Sequence, residues 1–263
     1  MNKIKILFLI STLLIITSCV PTKDLIYLQN KDNSEAKSAI NPVVLKPYRL
    51  QANDVVSITL KALDQKLVEM FSTENQVNQQ GKTDMTLYYN GYTVNDHGNI
   101  RIPVLGEINV LGYTLDEVRL KVEKDLLEQY FNKEANIYVT VKLAGFRYTI
   151  NGEIGTPGSR TLYQEKVNIL EAIANSGDIT ITGDRKAVTI IRQMPQGTEM
   201  HSIDLTNINA MQSPYYYLQP NDYVYIKPLK QKTWGTGKTG IESISTLVTL
   251  LSLITTTFLL LKK

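Results

Sequence analysis

The chain has 263 residues and a formal net charge of +3, so it lacks the basic field that nucleic-acid binding requires. Cys19 is its single cysteine, which excludes an intrachain disulfide and a thiolate metal site. About two hundred residues separate two apolar ends, enough for one or two compact domains.

The first residues have the pattern of a secretory leader. Lys3 and Lys5 precede an apolar stretch from Ile6 to Ile16, which is too short for a stable membrane anchor. The next segment, Ile16-Thr17-Ser18-Cys19, resembles a bacterial lipobox, in which cleavage precedes a cysteine that then carries lipid. We therefore predict a signal peptide over residues 1–18 and lipidation of Cys19. A plain secretory signal that happens to end in cysteine is the alternative.

Residues 19–46 are predicted to be a lipidated linker, because Lys23 to Pro47 is polar with scattered apolar residues. Val20 follows the cysteine where the best-known Gram-negative lipoproteins retained in the inner membrane have Asp. This favours sorting to the outer membrane.

A first domain is predicted over residues 47–145. Strand signals occur at Val55–Leu60, Ile100–Ile102, Gly106–Val110 and Ile137–Leu143. Thr114 and Glu117 form a capping box, and apolar residues then recur at helical spacing to Tyr130. Residues 63–92 predict no definite element.

A second domain is predicted over residues 146–229. Its strand signals are Tyr148–Ile154, Thr161–Tyr163, Ala187–Arg192, Ile203–Leu205 and Tyr223–Ile226. Asn168 and Glu171 can cap a short helix that runs through Ala174 and stops at Gly177. This order is α+β and fits a small β-grasp, or ubiquitin-like, domain.

One segment occurs twice. Tyr48 to Ile58 and Tyr216 to Ile226 both follow the pattern Tyr-x-Leu-Gln-x-Asn-Asp-x-Val-x-Ile. The pattern either forms a polar turn that lines a lumen or forms only a turn before a strand. Asn-Asp turn chemistry favours the second interpretation.

The C-terminal end is apolar. After a linker over residues 230–240, Ser243 to Leu261 carries no charge, and residues 241–263 are predicted to form a membrane-spanning helix. On a helical wheel, one narrow face carries hydroxyl side chains that are candidates for lining a lumen, namely Ser245, Thr249, Ser252 and Thr256. These hydroxyls would otherwise bond to carbonyls of their own helix or pack between helices.

No catalytic constellation stands out. His97 and His201 lie far apart without metal-ligand spacing, and neither a nucleophile elbow nor a dinucleotide-binding glycine pattern occurs. The scattered carboxylates include no distinguishable pair for glycoside hydrolysis. We predict no catalytic residue, no metal and no cofactor.

Four segments in this order resemble the outer-membrane polysaccharide export family, the Wza-type capsule channels. They are Tyr48 to Ile58, Gly98 to Ile108 with Gly112-Tyr113-Thr114, Gly152-Glu153-Ile154 with Pro157-Gly158, and Ile169 to Gly177. The resemblance implies an export domain, a soluble-ligand-binding β-grasp domain and no catalytic residues. Some members of this family carry two β-grasp domains, whereas this sequence predicts one.

The resemblance also implies a homo-oligomeric ring in the outer membrane, with its body in the periplasm and a polysaccharide co-polymerase of the inner membrane as partner. The function expected is therefore a conduit for capsular or exopolysaccharide. The alternatives are a glycan-binding envelope lipoprotein that forms no pore, and an envelope enzyme with an unrecognised carboxylate site.

Overall fold

The structure is a computed structural model, and the residues that it describes form two compact units. The first unit comprises the described residues within 44–148 and 161–167, and the second comprises those within 1–43, 149–160 and 168–263. The described residues are 20–31, 47–62, 71, 90–131, 136–194, 196–233, 245 and 248–256.

Ten strands and three helices are named in chain order. The strands are β1 (Val55–Lys61), β2 (Tyr92–Thr93), β3 (Asn99–Ile102), β4 (Gly106–Asn109), β5 (Tyr138–Leu143), β6 (Phe146–Gly152), β7 (Gly158–Leu162), β8 (Val188–Met194), β9 (Gly197–Ile203) and β10 (Tyr223–Ile226). The helices are α1 (Leu115–Gln129), α2 (Ile169–Ala174) and α3 (Lys230–Thr233), and short 3-10 turns lie at Thr22–Asp24 and Ile208–Gln212.

The first unit combines a three-stranded antiparallel sheet, a hairpin and a helix. The sheet has the order β2-β1-β5, and β3 pairs with β4 in the hairpin. Alternate residues of these strands point into one apolar core, to which α1 contributes Val118, Val122 and Leu126. The period-two and helical patterns in the sequence therefore meet in a single core.

The start of α1 is fixed by the predicted capping box. The Thr114 hydroxyl accepts from the Glu117 amide at 3.2 Å, and the Glu117 carboxylate accepts from the Thr114 amide at 2.8 Å. Two amides at the helix start that lack helical partners are satisfied in this way. Asn168 and Glu171 make the same reciprocal pair at the start of α2, as the sequence predicts.

The second unit contains a mixed sheet of order β7-β6-β10-β8-β9. Strand β10 lies in the middle, parallel to β6 and antiparallel to β8. The expected α+β class is confirmed at the level of mixed helices and strands. The separate strand predicted at Ile203–Leu205 is wrong, because only Ile203 lies in a strand, as the last residue of β9, which pairs with β8 from Gly197 to Ile203.

The predicted membrane-spanning helix lies mostly outside the described residues. Residues 248–256 are helical. Among the residues that the structure describes, no helix is both long enough and apolar enough to cross a membrane.

Candidate functional site

The predicted lipidation site, Cys19, lies outside the described residues, and Val20 is the first residue that the structure describes. The four hydroxyl residues proposed to line a lumen are all described, and those in helical residues 249–256 are exposed. The structure therefore shows the surroundings of the tail hydroxyls.

Three of these hydroxyls bond to carbonyl oxygens of their own helix. Thr249 donates to Ser245 at 2.7 Å, Ser252 donates to Thr249 at 2.8 Å, and Thr256 donates to Ser252 at 2.6 Å. A hydroxyl that donates in this way keeps lone pairs that can accept from water. The bonds are therefore compatible with a helix that lines water and with one that does not, and the lumen-lining role stays a prediction.

The N-terminal segment of residues 20–31 packs on the rest of the second unit, which the interpretation as a linker did not predict. The Leu28 amide donates to the carbonyl of Leu205 at 3.0 Å, and the Gln29 amide donates to Thr206 at 2.8 Å. In return, the Ile208 amide donates to Gln29 at 3.1 Å. The segment is held like a short added strand next to the end of β9.

Tyr27 anchors this segment through its ring and its hydroxyl. The hydroxyl donates to the Asp178 carboxylate at 2.5 Å, and the Arg185 guanidinium lies 5.3 Å from the ring centre. Burial, together with the bond to Asp178, raises the pKa of the Tyr27 hydroxyl above its ordinary value. Tyr27 therefore remains a protonated donor at neutral pH.

Arg185 is a buried cation, 6% exposed, that holds one loop together. It donates to the carbonyls of Ile179 at 2.6 Å and Thr180 at 3.1 Å. Its guanidinium also lies over the face of Tyr27, a cation–π arrangement. The sequence signal that could have revealed this docking is the apolar run Leu25-Ile26-Tyr27-Leu28 within an otherwise polar segment.

Glu153 ties the end of β6 to the segment that leads toward the tail. Its carboxylate accepts from the hydroxyls of Thr180 at 2.9 Å and Thr182 at 2.6 Å, and it pairs with Lys232 of α3. Burial alone would raise the pKa of Glu153. The hydrogen bonds outweigh burial and lower this pKa, and the bond from Lys232 contributes most among them. The carboxylate is therefore charged at neutral pH and serves as a structural acceptor.

The repeated segments form two equivalent turns. Asn53 and Asn221 adopt left-handed backbone angles, with φ of 70° and 67°. This conformation suits asparagine at a tight turn.

The aspartates that follow these asparagines are buried. Asp54 is 4% exposed and accepts from the Gln51 amide at 2.8 Å, while Asp222 is 1% exposed and accepts from the Gln219 amide at 2.7 Å. Because each buried aspartate accepts a backbone amide of its own turn directly before a strand, these bonds support the strand-initiation interpretation.

The histidines are not brought together. His201 stacks on Tyr215 with ring centres 3.7 Å apart and pairs with Glu199 at 3.0 Å, whereas His97 lies in the turn between β2 and β3 of the other unit. Within the described ranges, no cluster of three His, Cys, Asp or Glu side chains could hold a metal ion.

Comparison with known proteins defines the class. Residues 43–143 match the family model described as polysaccharide biosynthesis/export protein, and residues 147–226 match the SLBB domain model. The chain thus contains a match to an export domain followed by a match to an SLBB domain, and these matches support membership of the polysaccharide export family.

Two relatives have matching names. The EPS I polysaccharide export outer membrane protein EpsA of Ralstonia nicotianae is 26% identical over 63% of this chain and 44% of its own length. Its counterpart in Ralstonia solanacearum is 26% identical over 56% of this chain and 39% of its own length. The chain thus spans less than half the length of either relative. The names of both relatives describe export proteins and not enzymes, in agreement with the expectation that the chain is not an enzyme.

Proposed function

We propose that the protein forms an oligomeric outer-membrane conduit through which a capsular or exopolysaccharide leaves the cell. The observation that carries this proposal is the match to an export domain and an SLBB domain in that order. The names of the Ralstonia relatives support both the outer-membrane location and the polysaccharide cargo.

The second unit supports the proposal through its topology. Counted within that sheet, the order β7-β6-β10-β8-β9 is 2-1-5-3-4, with strands one and five parallel. This is the strand order of a β-grasp, so we interpret the second unit as the β-grasp domain that the sequence predicts.

We further propose two membrane attachments and one protein partner. Lipid on Cys19 anchors the N-terminal end, and a helix within residues 241–263 spans the outer membrane, which leaves both units in the periplasm. An inner-membrane polysaccharide co-polymerase delivers the chain to be exported. The resemblance to Wza-type channels supports the partner, and the charge-free stretch from Ser243 to Leu261 supports the helix.

The competing function is a lipoprotein that binds glycan without forming a pore. Particle size separates the two functions. Protein extracted in mild detergent and imaged by negative-stain electron microscopy should form closed rings if it is a conduit. Particles of single-chain mass at every concentration would contradict the conduit.

Deletion of the gene tests transport itself. Surface polysaccharide should be lost while its lipid-linked repeat units are still made, and expression of the full chain should restore export. Normal surface polysaccharide in a strain with no paralogue would contradict the proposal.

A further inference from the structure

The loop Asp178–Lys186 binds the N-terminal segment of the chain. Tyr27 bonds to Asp178 and lies under Arg185, and Asp24 pairs with Lys186 at 2.6 Å. Val20, at the start of this segment, directly follows the predicted lipidation site.

The same loop also binds the segment that leads to the tail. The Asp184 amide donates to the carbonyl of Lys227 at 2.9 Å, and the Leu229 amide donates to that of Thr182 at 2.7 Å. Thr233, at the end of α3, lies shortly before the charge-free stretch that begins at Ser243. Both segments next to the proposed membrane attachments are therefore fixed to one loop.

Two large apolar side chains are exposed on or next to this loop. Ile181, within the loop, is 57% exposed, and Ile26, next to Tyr27, is 50% exposed. Neighbours on both sides of Ile181 are held, because Thr180 and Thr182 both bond to Glu153. The exposed isoleucine is thus presented by a restrained loop.

Basic residues outnumber acidic ones in the segments that form this surface. The segments 20–27, 178–186 and 227–233 together carry six basic and three acidic residues, and Glu153, which pairs with Lys232, adds a fourth acidic residue. Of the basic residues, Arg185 is buried. Of the acidic residues, Asp24 pairs with Lys186, Asp178 accepts from Tyr27, and Asp184 accepts from the Lys186 amide. Exposed apolar side chains among basic residues are typical of a surface that meets anionic lipid headgroups.

We propose that this surface, made of Ile26, Asp178–Lys186 and Lys227–Thr233 and called here the basal surface, lies against anionic lipid headgroups with Ile26 and Ile181 inserted among them. The proposal rests on the membrane attachments proposed above, but not on the formation of a conduit. It makes the second unit a body that contacts the membrane directly.

Site-specific fluorescence in vesicles tests the basal surface. The full chain carrying Ile181→Cys is labelled with an environment-sensitive fluorophore and reconstituted into vesicles of phosphatidylethanolamine and phosphatidylglycerol. Met200→Cys, at a position 67% exposed on β9, is the matched control. Wild-type protein treated in parallel reports any label taken up at Cys19.

The label at position 181 should shift to shorter wavelength in vesicles and be quenched by aqueous iodide at least threefold less than the label at position 200. Ile26→Cys should behave like Ile181→Cys, and vesicles without phosphatidylglycerol should give weaker protection. Equal quenching at 181 and 200 in vesicle-bound protein would overturn the proposed contact between the basal surface and lipid, but not the proposed membrane attachments. Protein that does not float with vesicles would overturn the proposed attachments as well.

Discussion

At the residue scale, Arg192 and Asp222 form a buried bidentate ion pair. Nε and Nη2 of Arg192 donate to the two carboxylate oxygens at 2.9 and 2.7 Å, and the two side chains are 8% and 1% exposed. The pair joins β8 to the turn before β10, so it holds two central strands of the sheet together. Removing one charge leaves the other buried without a counter-ion.

Asp222→Asn should therefore lower the free energy of unfolding of the second unit by about 3 kcal/mol. Urea denaturation measures this loss, and so does hydrogen exchange of the β8 and β10 amides in the native protein. Glu128→Gln is the control, because it removes an exposed ion pair. In that pair the Lys124 side chain is 70% exposed and the Glu128 side chain is 63% exposed. Such pairs contribute about 0–1 kcal/mol, and equal losses in the two variants would contradict the importance of burial.

Asp204 makes the docking of the N-terminal segment depend on pH. Burial alone would raise the pKa of this carboxyl, but hydrogen bonds from Thr206 and Lys31 lower it. Because the pKa of Asp204 is lower in the folded state, the charged carboxylate stabilises the fold at pH values above its ordinary pKa of about 3.9. This stabilisation is lost as the pH falls through the pKa of the folded state.

Asp204→Asn should lower the melting temperature at pH 7, and the difference from wild type should close as the pH falls below about 4. Because the Asp204 side chain is 38% exposed, solvent screening limits the effect to about 1 kcal/mol, or about 2–4 °C. Thermal unfolding from pH 7 to pH 3 measures it. Asp96→Asn, in an exposed turn, should show no such difference, and a constant offset for Asp204→Asn at all pH values would contradict the linkage.

At the scale of secondary-structure elements, Gly152 allows β6 to approach β10. Its φ is +96°, and a Cβ atom there would lie 2.0 Å from the carbonyl oxygen of Ile226. That oxygen accepts a hydrogen bond from the Glu153 amide at 3.0 Å. The clash would therefore disrupt a hydrogen bond that holds the parallel strands β6 and β10 together. A side chain at this position must separate the two strands.

Gly152→Ala should destabilise the second unit by more than about 2 kcal/mol, through backbone strain and the clash together. Gly106→Ala is the matched control, since Gly106 has a φ of +83° but nothing within 4 Å of the added Cβ. It should cost only the strain, about 1–2 kcal/mol. Urea denaturation compares them, and similar losses would contradict a steric role for Gly152.

Elements set by local patterns could be predicted from the sequence, whereas those set by distant partners could not. The capping boxes at α1 and α2 need residues only three positions apart, so both helix starts were predicted. By contrast, Tyr27 and Asp178 are 151 residues apart, and no periodicity marks their contact. Strand β9 is exposed at five of its seven positions, so its sequence shows little alternation, and its pairing with β8 determines its length.

At the scale of the whole molecule, the two predicted membrane attachments are independent and can be tested separately. Cys19→Ser should abolish acylation and leave the leader uncut, because the thiol is the predicted site of lipid attachment. Ser18→Ala keeps a small residue before the cysteine and should leave acylation intact. Intact-mass analysis of the membrane fraction measures both, and a mature wild-type protein without added acyl mass would remove the lipid anchor.

The tail helix presents a testable difference between its two faces. Thr249 and Ser252 lie on the hydroxyl face, while Leu250 and Ile254 lie on the opposite, apolar face. In a ring of helices, the hydroxyl face would line water, because oxygen atoms that donate to their own helix still accept from water. The leucine face would then meet lipid, where burying its side chains is favourable.

Single cysteines at these four positions separate a pore-lining helix from a simple anchor. We expect a water-soluble thiol reagent, applied to intact membranes, to modify Thr249→Cys and Ser252→Cys at least tenfold faster than Leu250→Cys and Ile254→Cys. The proposed lipid on Cys19 would block that thiol, and the parent chain treated in parallel reports any modification there. Denaturation in detergent should make all four positions equally reactive, which shows that each cysteine is present. Equal protection of all four in the membrane would mean that the helix only anchors the protein, since a face that lines water must admit the reagent.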